Sequence, residues 1–410
     1  MRIVLAPDGT TGDVHPLLAL GEALRAAGHG VLVCAPPDFE AEALGRGLGF
    51  RAVGASVRAY LTFHAAALRR GGLAMAIEGR RYIRDALPTQ FAVLTEATAG
   101  ADLVVGAGLQ LAAPSAAELR GIPYRYVLYC PALLPSREHP PVVLSRASLP
   151  AWATPLAWRA GQAFLSASLR APLARQRAVL GLPPVSDPYR HLLSPRPLLA
   201  ADDDLAPLEA PLRDADAVAV ERTACLHPMA GPALPPKLEA FLAQGEAPLY
   251  LGFGSMTDQE PDRTTRELLD ACALAGRRAV LGRGWAGLGE GALPEGVFVA
   301  GPVSHARLFP RCAAVVHHGG AGTTTTAARA GVPQVIVPHV FDQFYWGRRI
   351  AELGIGLALS SRRRLRAQPL AAALGELLSN EVVAERAREL GWRLRTRAEA
   401  CDPVRALLAR

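Results

Sequence analysis

The amino-acid sequence predicts an α/β protein with two doubly wound, parallel-sheet domains that face each other across a cleft. The 410 residues are too many for one ordinary hydrophobic core, so two domains of roughly 200 residues are expected. Short apolar runs alternate with helical patterns in both halves, as in parallel sheets covered on both faces. A segment rich in Pro, Ala and Asp, residues 207–236, separates the two alternating regions.

The first domain is predicted to open with a buried strand at residues 3–6. A glycine-rich turn follows, and a helix is expected to begin near Val14. Pro16 would fit the first turn of this helix, where a missing N–H costs nothing, and Gly28 would end it. Further buried strands are expected at residues 31–34, 103–105 and 126–128.

The same alternation restarts after the proline-rich segment. Helical patterns are expected at residues 264–275 and 323–330. Strands are expected at residues 249–253, 279–281, 297–299, 313–316 and 334–337. The predicted organisation is a first domain at 1–206, a linker at 207–236, a second domain at 237–384, and a helical, arginine-rich tail at 385–410 that packs back on the first domain.

Composition argues against several classes of protein. The net charge is +7, but the arginines that supply it are scattered along the chain and form no basic patch, so no nucleic-acid partner is expected. The six cysteines are far apart, which disfavours a disulfide framework and a zinc site. No run of about 20 apolar residues and no leader pattern occurs, so we expect a cytoplasmic protein without a membrane span. The acidic run Asp202–Asp204 is expected to be solvated.

A glycine-rich turn in the second half predicts a phosphate site. An apolar strand runs into His317 and His318, and small residues then open a helix. The free N–H groups of Gly322, Thr323 and Thr324 would point at an anionic ligand, and His317 could donate a hydrogen bond or a positive charge. Adjacent strand residues point to opposite faces, which argues against a metal held by both histidines, and His318 is expected to be structural. The alternative is a turn that only packs tightly.

Asp342 and Gln343 follow the next predicted strand and therefore lie on the same edge of the sheet. A carboxylate beside an amide offers the acceptors and donors that vicinal sugar hydroxyls need. The alternative is that Asp342 is the N-cap of a helix, a common position for aspartate.

These stretches together resemble a known family. The signature of family 1 glycosyltransferases with the GT-B fold is similar to three stretches here: 317–326, 331–334 and 342–343. Residues 249–255 resemble the first strand and loop of that family's donor domain. Residues 9–16 and 34–38 resemble its bacterial natural-product branch, which includes the transferases of the vancomycin aglycone and of macrolides and polyketides.

The resemblance implies an inverting transfer of a hexose from a TDP- or UDP-linked sugar to a hydroxyl of a hydrophobic polyketide, macrolide or glycopeptide aglycone. It implies no cofactor and no metal, and a monomer or homodimer. The implied roles are diphosphate binding for His317, Gly320, Ala321, Gly322, Thr323 and Thr324, sugar binding for Asp342 and Gln343, and nucleoside binding for Ser255, Arg283, Trp285, Val303 and Ser304.

Two residues of the first glycine-rich turn are candidates for the catalytic base. Asp13 matches the proposed base of the vancomycin-type branch, whereas His15 lies near the place of the histidine base of a different branch. We prefer Asp13, although an aspartate of ordinary pKa, about 4, is a weak base for an alcohol. The alternative for Asp13 is an N-cap of the first helix, and we expect the two roles to be compatible only if the side chain rotates.

Other functions remain open from sequence alone. A nicotinamide-dependent oxidoreductase would use the turn at Gly9–Gly12 and Asp38, but the turn lacks the G-x-G-x-x-G pattern. A GT-B enzyme that epimerises or hydrolyses a nucleotide sugar is a second alternative, and a non-catalytic partner of another transferase is a third. An apolar acceptor pocket or ordinary core packing would equally explain Phe63, Tyr82, Trp152 and Trp158.

Overall fold

The predicted pair of parallel-sheet domains is confirmed in a computed structural model of the protein. The structure describes residues 1–64, 72–212, 218–226 and 231–409. Every strand pair within the two sheets is parallel. Parallel strands need crossover connections, and helices supply most of them.

The first sheet has seven strands in the order β3-β2-β1-β4-β5-β6-β7. Its strands are β1 (Arg2–Asp8), β2 (Gly30–Ala35), β3 (Gly49–Ala52), β4 (Leu103–Gly108), β5 (Tyr124–Leu128), β6 (Leu198–Ala200) and β7 (Glu221–Thr223). The helices of this part are α1 (Thr11–Ala26), α2 (Glu40–Gly45), α3 (Val57–Phe63), α4 (Gly72–Ala97), α5 (Ala113–Arg120), α6 (Ala153–Val179) and α7 (Pro188–Leu193).

The second sheet has six strands in the order β10-β9-β8-β11-β12-β13. Its strands are β8 (Leu249–Gly252), β9 (Ala279–Gly282), β10 (Val297–Ala300), β11 (Ala314–His317), β12 (Gln334–Ile336) and β13 (Gly356–Ala358). The helices that follow the first sheet are α8 (Pro236–Leu242), α9 (Pro261–Leu274), α10 (His305–Leu308), α11 (Ala321–Ala330), α12 (Gln343–Glu352), α13 (Ala367–Ser379), α14 (Glu381–Glu399) and α15 (Pro403–Leu408).

Two details of the sequence-based prediction are wrong. Helix α1 begins at Thr11, so Pro16 lies in its second turn, where its missing N–H leaves the Gly12 carbonyl without a helical donor. Strand β7 belongs to the first sheet, so the predicted linker at 207–236 starts too early. Part of that linker, residues 213–217 and 227–230, lies outside the described residues.

The C-terminal helices connect the two domains. Helix α14 packs on α11 of the second domain, and α15 packs on α1 and β7 of the first. Leu407 of α15 is buried in the apolar core beneath the first sheet. The chain therefore returns to its first domain at its end. Among the described helices, none is long and apolar enough to cross a membrane.

A buried ion pair joins the domains. Asp202, just after β6, accepts two hydrogen bonds from Arg329 of α11, at 2.8 Å from Nε and 2.7 Å from Nη2. The two side chains are only 4% and 7% exposed. The Cys225 N–H adds a third bond to this carboxylate, at 2.9 Å.

The expectation that the acidic run Asp202–Asp204 is solvated is therefore wrong for its buried first member. The other two also have arginine partners: Asp203 pairs with Arg222, and Asp204 lies 3.5 Å from Arg393 of α14. The scattered arginines thus include several that hold elements of the fold together.

Changing Asp202 to Asn should destabilise the protein by about 3–5 kcal/mol, because it leaves the Arg329 charge buried without a counter-charge. Denaturant-induced unfolding would measure this loss. The matched control is Glu239→Gln, which breaks an exposed ion pair with Arg311 and should cost at most about 1 kcal/mol. Equal effects of the two substitutions would contradict this account.

Candidate functional site

The residues predicted to act on a ligand lie at the carboxyl edges of the two sheets, where ligands bind in open α/β sheets. Asp13 is in the first turn of α1, after β1, and Asp342 follows β12. The two carboxylates are close enough that the charge of Asp342 helps to raise the pKa of Asp13. The structure therefore brings the predicted base and the predicted sugar-binding acid to one cleft.

Local hydrogen bonds hold Asp13 in place. It is the third residue of α1, not the N-cap, which is Thr10. The Thr10 N–H donates to Asp13 Oδ2 at 2.8 Å, an arrangement that caps the start of the helix. Gly9 has φ +147°, and a Cβ there would lie 2.2 Å from the same oxygen. The glycine-rich turn therefore leaves the room that this carboxylate needs.

Burial raises the pKa of Asp13 to about 7, the Thr10 N–H opposes this shift, and the negative charges of Asp342 and Asp8 add to it. The surroundings of Asp13 therefore make it a stronger base than an aspartate of ordinary pKa. A carboxyl group that titrates near neutral pH accepts a proton from an alcohol more readily than an ordinary aspartate does.

The structure places His15 away from this arrangement. Its Nε2 lies 2.8 Å from Glu42 Oε2 of α2, and the edge of its ring meets Phe39 at a centroid distance of 6.0 Å.

The Asp38 carboxylate accepts bonds from Ser56 Oγ at 2.6 Å and from the Val57 N–H at 2.8 Å. Asp38 thus holds the start of α3, a structural role that does not need a bound ribose.

The glycine-rich turn of the second domain opens α11 as predicted. Gly320 is the N-cap, so the N–H groups of Ala321, Gly322 and Thr323 have no carbonyl partner within the helix. The Thr324 N–H, expected to be free, donates to the Gly320 carbonyl at 2.9 Å. The Thr324 hydroxyl is buried and, among the described residues, has no hydrogen-bond partner. This turn offers donors to an anion.

His317 does not have the free nitrogen that its predicted role requires. Its Nδ1 accepts the Gly319 N–H at 3.1 Å, so Nε2 carries the proton and donates to Gln334 Oε1 at 2.8 Å. Burial lowers the pKa of His317 to about 4. The ring is therefore neutral near pH 7, and both nitrogens serve the protein's own hydrogen bonds.

His318, expected to be structural, faces the turn instead. A Cβ on Gly320 would lie 2.5 Å from His318 Nε2, and one on Gly254, in the loop after β8, would lie 3.2 Å from Cε1. His318 Nδ1 is buried and has no partner among the described residues. Burial holds the pKa of His318 well below its usual range, with neighbouring histidines adding to the effect. Because side chains alternate along a strand, the sequence could predict that one of the two histidines faces the turn, but it could not predict which one.

The loop before α12 presents Asp342. Its Oδ2 accepts the Trp346 Nε1–H at 3.0 Å and makes no helix-capping bond. Burial raises the pKa of Asp342 to about 6, and the Trp346 bond opposes this shift. The preceding residue, Phe341, has φ +53°, a conformation that bulky side chains rarely adopt. Its N–H donates to Ser145 Oγ of the first domain at 3.1 Å, so an interdomain bond supports this conformation.

Gln343 holds the shape of this loop. Its Oε1 accepts the N–H groups of His339 at 2.7 Å and Val340 at 3.0 Å. Its Nε2 lies 3.4 Å from Met256 Sδ, in the loop after β8. The amide is thus largely engaged within the protein, and Asp342 has fewer described hydrogen bonds than Gln343 does.

The predicted nucleoside-binding residues lie on neighbouring loops of the same sheet edge. Ser255 is buried beside Gly254, whereas Arg283 is exposed after β9. Trp285 is half-buried against the core of the first domain, with Arg58 of α3 6.0 Å from its ring centre. Val303 and Ser304 are half-buried before α10. Trp285 therefore has a packing role between the domains.

The four aromatic residues of the first domain have different surroundings. Phe63 and Trp152 are 84% and 74% exposed, so neither is core. Trp158 is buried and donates to the His139 carbonyl at 3.0 Å, while Tyr82 donates to Asp8 at 2.8 Å. Among the described residues, no group of three or more His, Cys, Asp or Glu could hold a metal ion.

Two family models match the chain. Residues 3–134 match the glycosyltransferase family 28 N-terminal domain, and residues 285–403 match the C-terminal domain of the erythromycin biosynthesis protein CIII-like family. The two matches lie in the two structural domains. They include the turn that holds Asp13 and the turn that opens α11.

Similar proteins come from Amycolatopsis orientalis. Glycosyltransferase GtfE is 40% identical over 366 residues, 87% of this chain and 86% of the relative. A vancomycin aglycone glucosyltransferase is 39% identical over the same shares of the two chains. A dTDP-epi-vancosaminyltransferase is 36% identical, with 93% of this chain and 91% of the relative covered.

Solved structures show the same fold. The calicheamicin glycosyltransferase CalG4 superimposes with a TM-score of 0.71, covering 100% of this chain and 98% of that one at 21% identity. The glycosyltransferase VinC, in complex with dTDP, gives a TM-score of 0.69 at 22% identity, covering 98% and 97%. With its family models, its relatives and its two facing sheets in agreement, the chain belongs to the GT-B glycosyltransferases of the vancomycin type.

Proposed function

We propose that this enzyme is an inverting O-glycosyltransferase that moves a hexose from a TDP-linked sugar to a hydroxyl of a hydrophobic, glycopeptide-like aglycone. The observation that carries the proposal is the pairing of Asp13, a carboxylate that titrates near neutral pH, with the anion-binding start of α11 in one cleft. A relative named for dTDP favours TDP over UDP as the donor nucleotide, and one named for the vancomycin aglycone favours a glycopeptide acceptor.

The start of α11 would bind the donor diphosphate. The N–H groups of Ala321, Gly322 and Thr323 and the unpartnered Thr324 hydroxyl supply donors, and the helix dipole favours negative charge at this end. His318 would add a hydrogen bond from a neutral ring. We therefore assign the predicted diphosphate role of His317 to His318 instead. His317 supports the turn by accepting the Gly319 N–H.

The transfer would proceed by one displacement. The acceptor oxygen attacks the anomeric carbon while Asp13 takes its proton, and the bond from that carbon to the diphosphate oxygen breaks with its electron pair. Attack opposite the leaving group inverts the anomeric centre. The α11 amides are already oriented towards the charge that develops on the diphosphate, so little reorganisation is needed. Asp342 would accept a hydrogen bond from a sugar hydroxyl.

A direct test of the function uses TDP-glucose and the vancomycin aglycone as probes. Mass spectrometry should detect an aglycone heavier by one hexose, and the anomeric proton coupling of the product should show inversion. TDP-glucose without acceptor is the control that distinguishes transfer from donor hydrolysis or epimerisation. Retained configuration, or consumption of the donor at the same rate without acceptor, would overturn the proposal.

Changing Asp13 to Asn should lower kcat by roughly 10²–10⁴-fold, because the acceptor hydroxyl loses its proton acceptor. TDP affinity, measured by calorimetry, should stay near that of the parent enzyme. The paired variant His15→Gln should keep most of the turnover, since the His15 ring is engaged with Glu42. Loss of turnover in the His15 variant alone would make His15 the base.

The rate of transfer should depend on pH through the base. Asp13 is active only when ionised and its pKa is about 7, so kcat/KM for the acceptor should fall as the pH drops below about 7. A profile measured from about pH 5 to 9 would locate this acidic limb. A limb close to pH 4, the ordinary range of aspartate, would contradict the electrostatic account of the cleft.

Leucine substitutions of His317 and His318, made one at a time, should show which histidine contributes to TDP binding and which contributes to stability. His318→Leu should weaken TDP binding, because a donor to the diphosphate is lost. His317→Leu should lower the free energy of unfolding by about 1–3 kcal/mol, since Gln334 Oε1 and the Gly319 N–H lose their buried partner. Calorimetry and denaturant-induced unfolding would measure the two effects. The assignment fails if TDP affinity falls only in the His317 variant.

A further inference from the structure

Asp8 is a buried carboxylate at the end of β1 that the proposed reaction does not yet use. It is 4% exposed. Oδ1 accepts the Tyr82 hydroxyl at 2.8 Å and Oδ2 accepts Gln90 Nε2 at 2.8 Å. Both donors are neutral, which distinguishes Asp8 from Asp202, whose buried charge has an arginine partner. An ionised carboxylate without a counter-charge is costly to bury, and asparagine would fill the same space without that cost.

The supports of Asp8 are themselves fixed. Tyr82 and Gln90 both lie on α4. Gln90 Nε2 also donates to the Leu109 carbonyl at 3.0 Å, and its Oε1 accepts the Leu111 N–H at 3.0 Å. These bonds tie α4 to the loop after β4 and orient the Gln90 amide so that one of its N–H groups donates to Asp8 and the other to the Leu109 carbonyl. The position of this carboxylate is therefore determined on both of its oxygens.

The backbone of Asp8 lies close to the proposed base. A Cβ on Gly108 would lie 2.0 Å from the Asp8 carbonyl oxygen and 3.2 Å from Asp13 Oδ1. A Cβ on Gly9, the residue after Asp8, would lie 2.2 Å from Asp13 Oδ2. The Asp13 carboxylate thus rests on the backbone that carries Asp8. Glycine at both positions permits this approach.

The groups that face Asp13 are neutral or negative. Asp342 faces it from the loop before α12, Asp8 from β1, and Tyr82 from α4. Thr10 bonds its side chain and Tyr129 donates to its carbonyl at 2.8 Å, while Tyr126 of β5 also senses its charge. No described group on these elements offers Asp13 a positive charge.

Both carboxyl groups have raised pKa values. Burial raises the pKa of Asp8 to about 6, with the Tyr82 and Gln90 bonds opposing the shift. Burial also raises the pKa of Asp13 to about 7, and the negative charge of Asp8 adds to that rise because it favours the protonated form of Asp13. For this effect Asp8 must ionise before Asp13.

We propose that Asp8 is a positioning residue for glycosyl transfer: its charge, held in place by Tyr82 and Gln90 near the base, makes Asp13 hold the acceptor's proton more tightly. The inference rests on the proposed role of Asp13. It makes the strength of the base depend on α4, because both residues that hold Asp8 belong to that helix.

The test is Asp8→Asn, which removes the charge and keeps the shape. The acidic limb of kcat/KM with TDP-glucose and the vancomycin aglycone should move to lower pH by roughly half a unit or more. At pH values above the limb, kcat should fall roughly two- to five-fold because Asp13 is a weaker base, with KM for TDP-glucose unchanged. Carboxyl ¹³C NMR of aspartate-labelled protein should show the same downward shift of the Asp13 midpoint.

A matched control separates charge from stability. Thr98→Val removes a buried hydrogen bond, 2.8 Å to the Leu94 carbonyl, just past the end of α4. It should lower the unfolding midpoint without moving the titration of Asp13. If the control moves the Asp13 midpoint as far as Asp8→Asn does, Asp8 has only a structural role and the proposal is wrong.

The order of ionisation gives a second test that does not need the Asp8 variant to fold. In carboxyl ¹³C NMR of the parent protein, Asp8 should ionise at a lower pH than Asp13, and Asp13→Asn should leave the Asp8 midpoint nearly unchanged, because Asp13 is still protonated and uncharged when Asp8 ionises. An Asp8 midpoint above that of Asp13 would overturn the proposal, since Asp8 would then carry no charge when Asp13 exchanges its proton. If Asp13→Asn retains normal turnover, the proposed function fails. If that variant is inactive but Asp8→Asn leaves the Asp13 midpoint and the acidic limb in place, only the role of Asp8 fails.

Discussion

The buried ion pair between Asp202 and Arg329 is the contact on which the rest of the site depends. Arg329 belongs to α11, whose other end presents free N–H groups to the cleft. A bidentate pair has defined geometry, and a buried one is expensive to leave half-made. Helix α11 is therefore attached, through its last turn, to a strand end of the first domain. The relative position of the proposed base and the proposed diphosphate site follows from that attachment.

Three acidic residues lie at or near the cleft between the domains that the Asp202–Arg329 pair connects. Asp8, Asp13 and Asp342 are three acids with pKa values raised chiefly by burial. Such a cluster opposes ionisation, and an enzyme that needs a proton acceptor near neutral pH gains from that opposition. The donors at the start of α11 lie on the other domain and would interact with a different partner, the leaving diphosphate of the proposed reaction. The proposed proton acceptor and the proposed anion-binding donors therefore belong to separate domains.

The sequence predicted those parts of the molecule that are set by local chemistry. Apolar runs located the interior strands, and the glycine-rich turn located the start of α11. The short strands β3, β7 and β13 were missed because three or four residues of mixed composition carry no periodic signal, and β6 was missed although its three residues are apolar. The interdomain role of Asp202 was missed because its partner is 127 residues away. Choosing between His317 and His318 needed the positions of Gln334, Gly319 and Gly254, which only the folded chain brings to the histidines.

The two roles considered for Asp13 do not compete. From sequence, capping a helix and accepting a proton required the side chain to rotate between two positions. In the structure Oδ2 accepts the Thr10 N–H, while Oδ1 lies beside Gly108 and makes no described hydrogen bond. One oxygen therefore fixes the carboxylate and the other stays available to a proton. The capping bond opposes the rise in pKa, so burial and the charges of Asp342 and Asp8 must exceed it for Asp13 to act as a base near neutral pH.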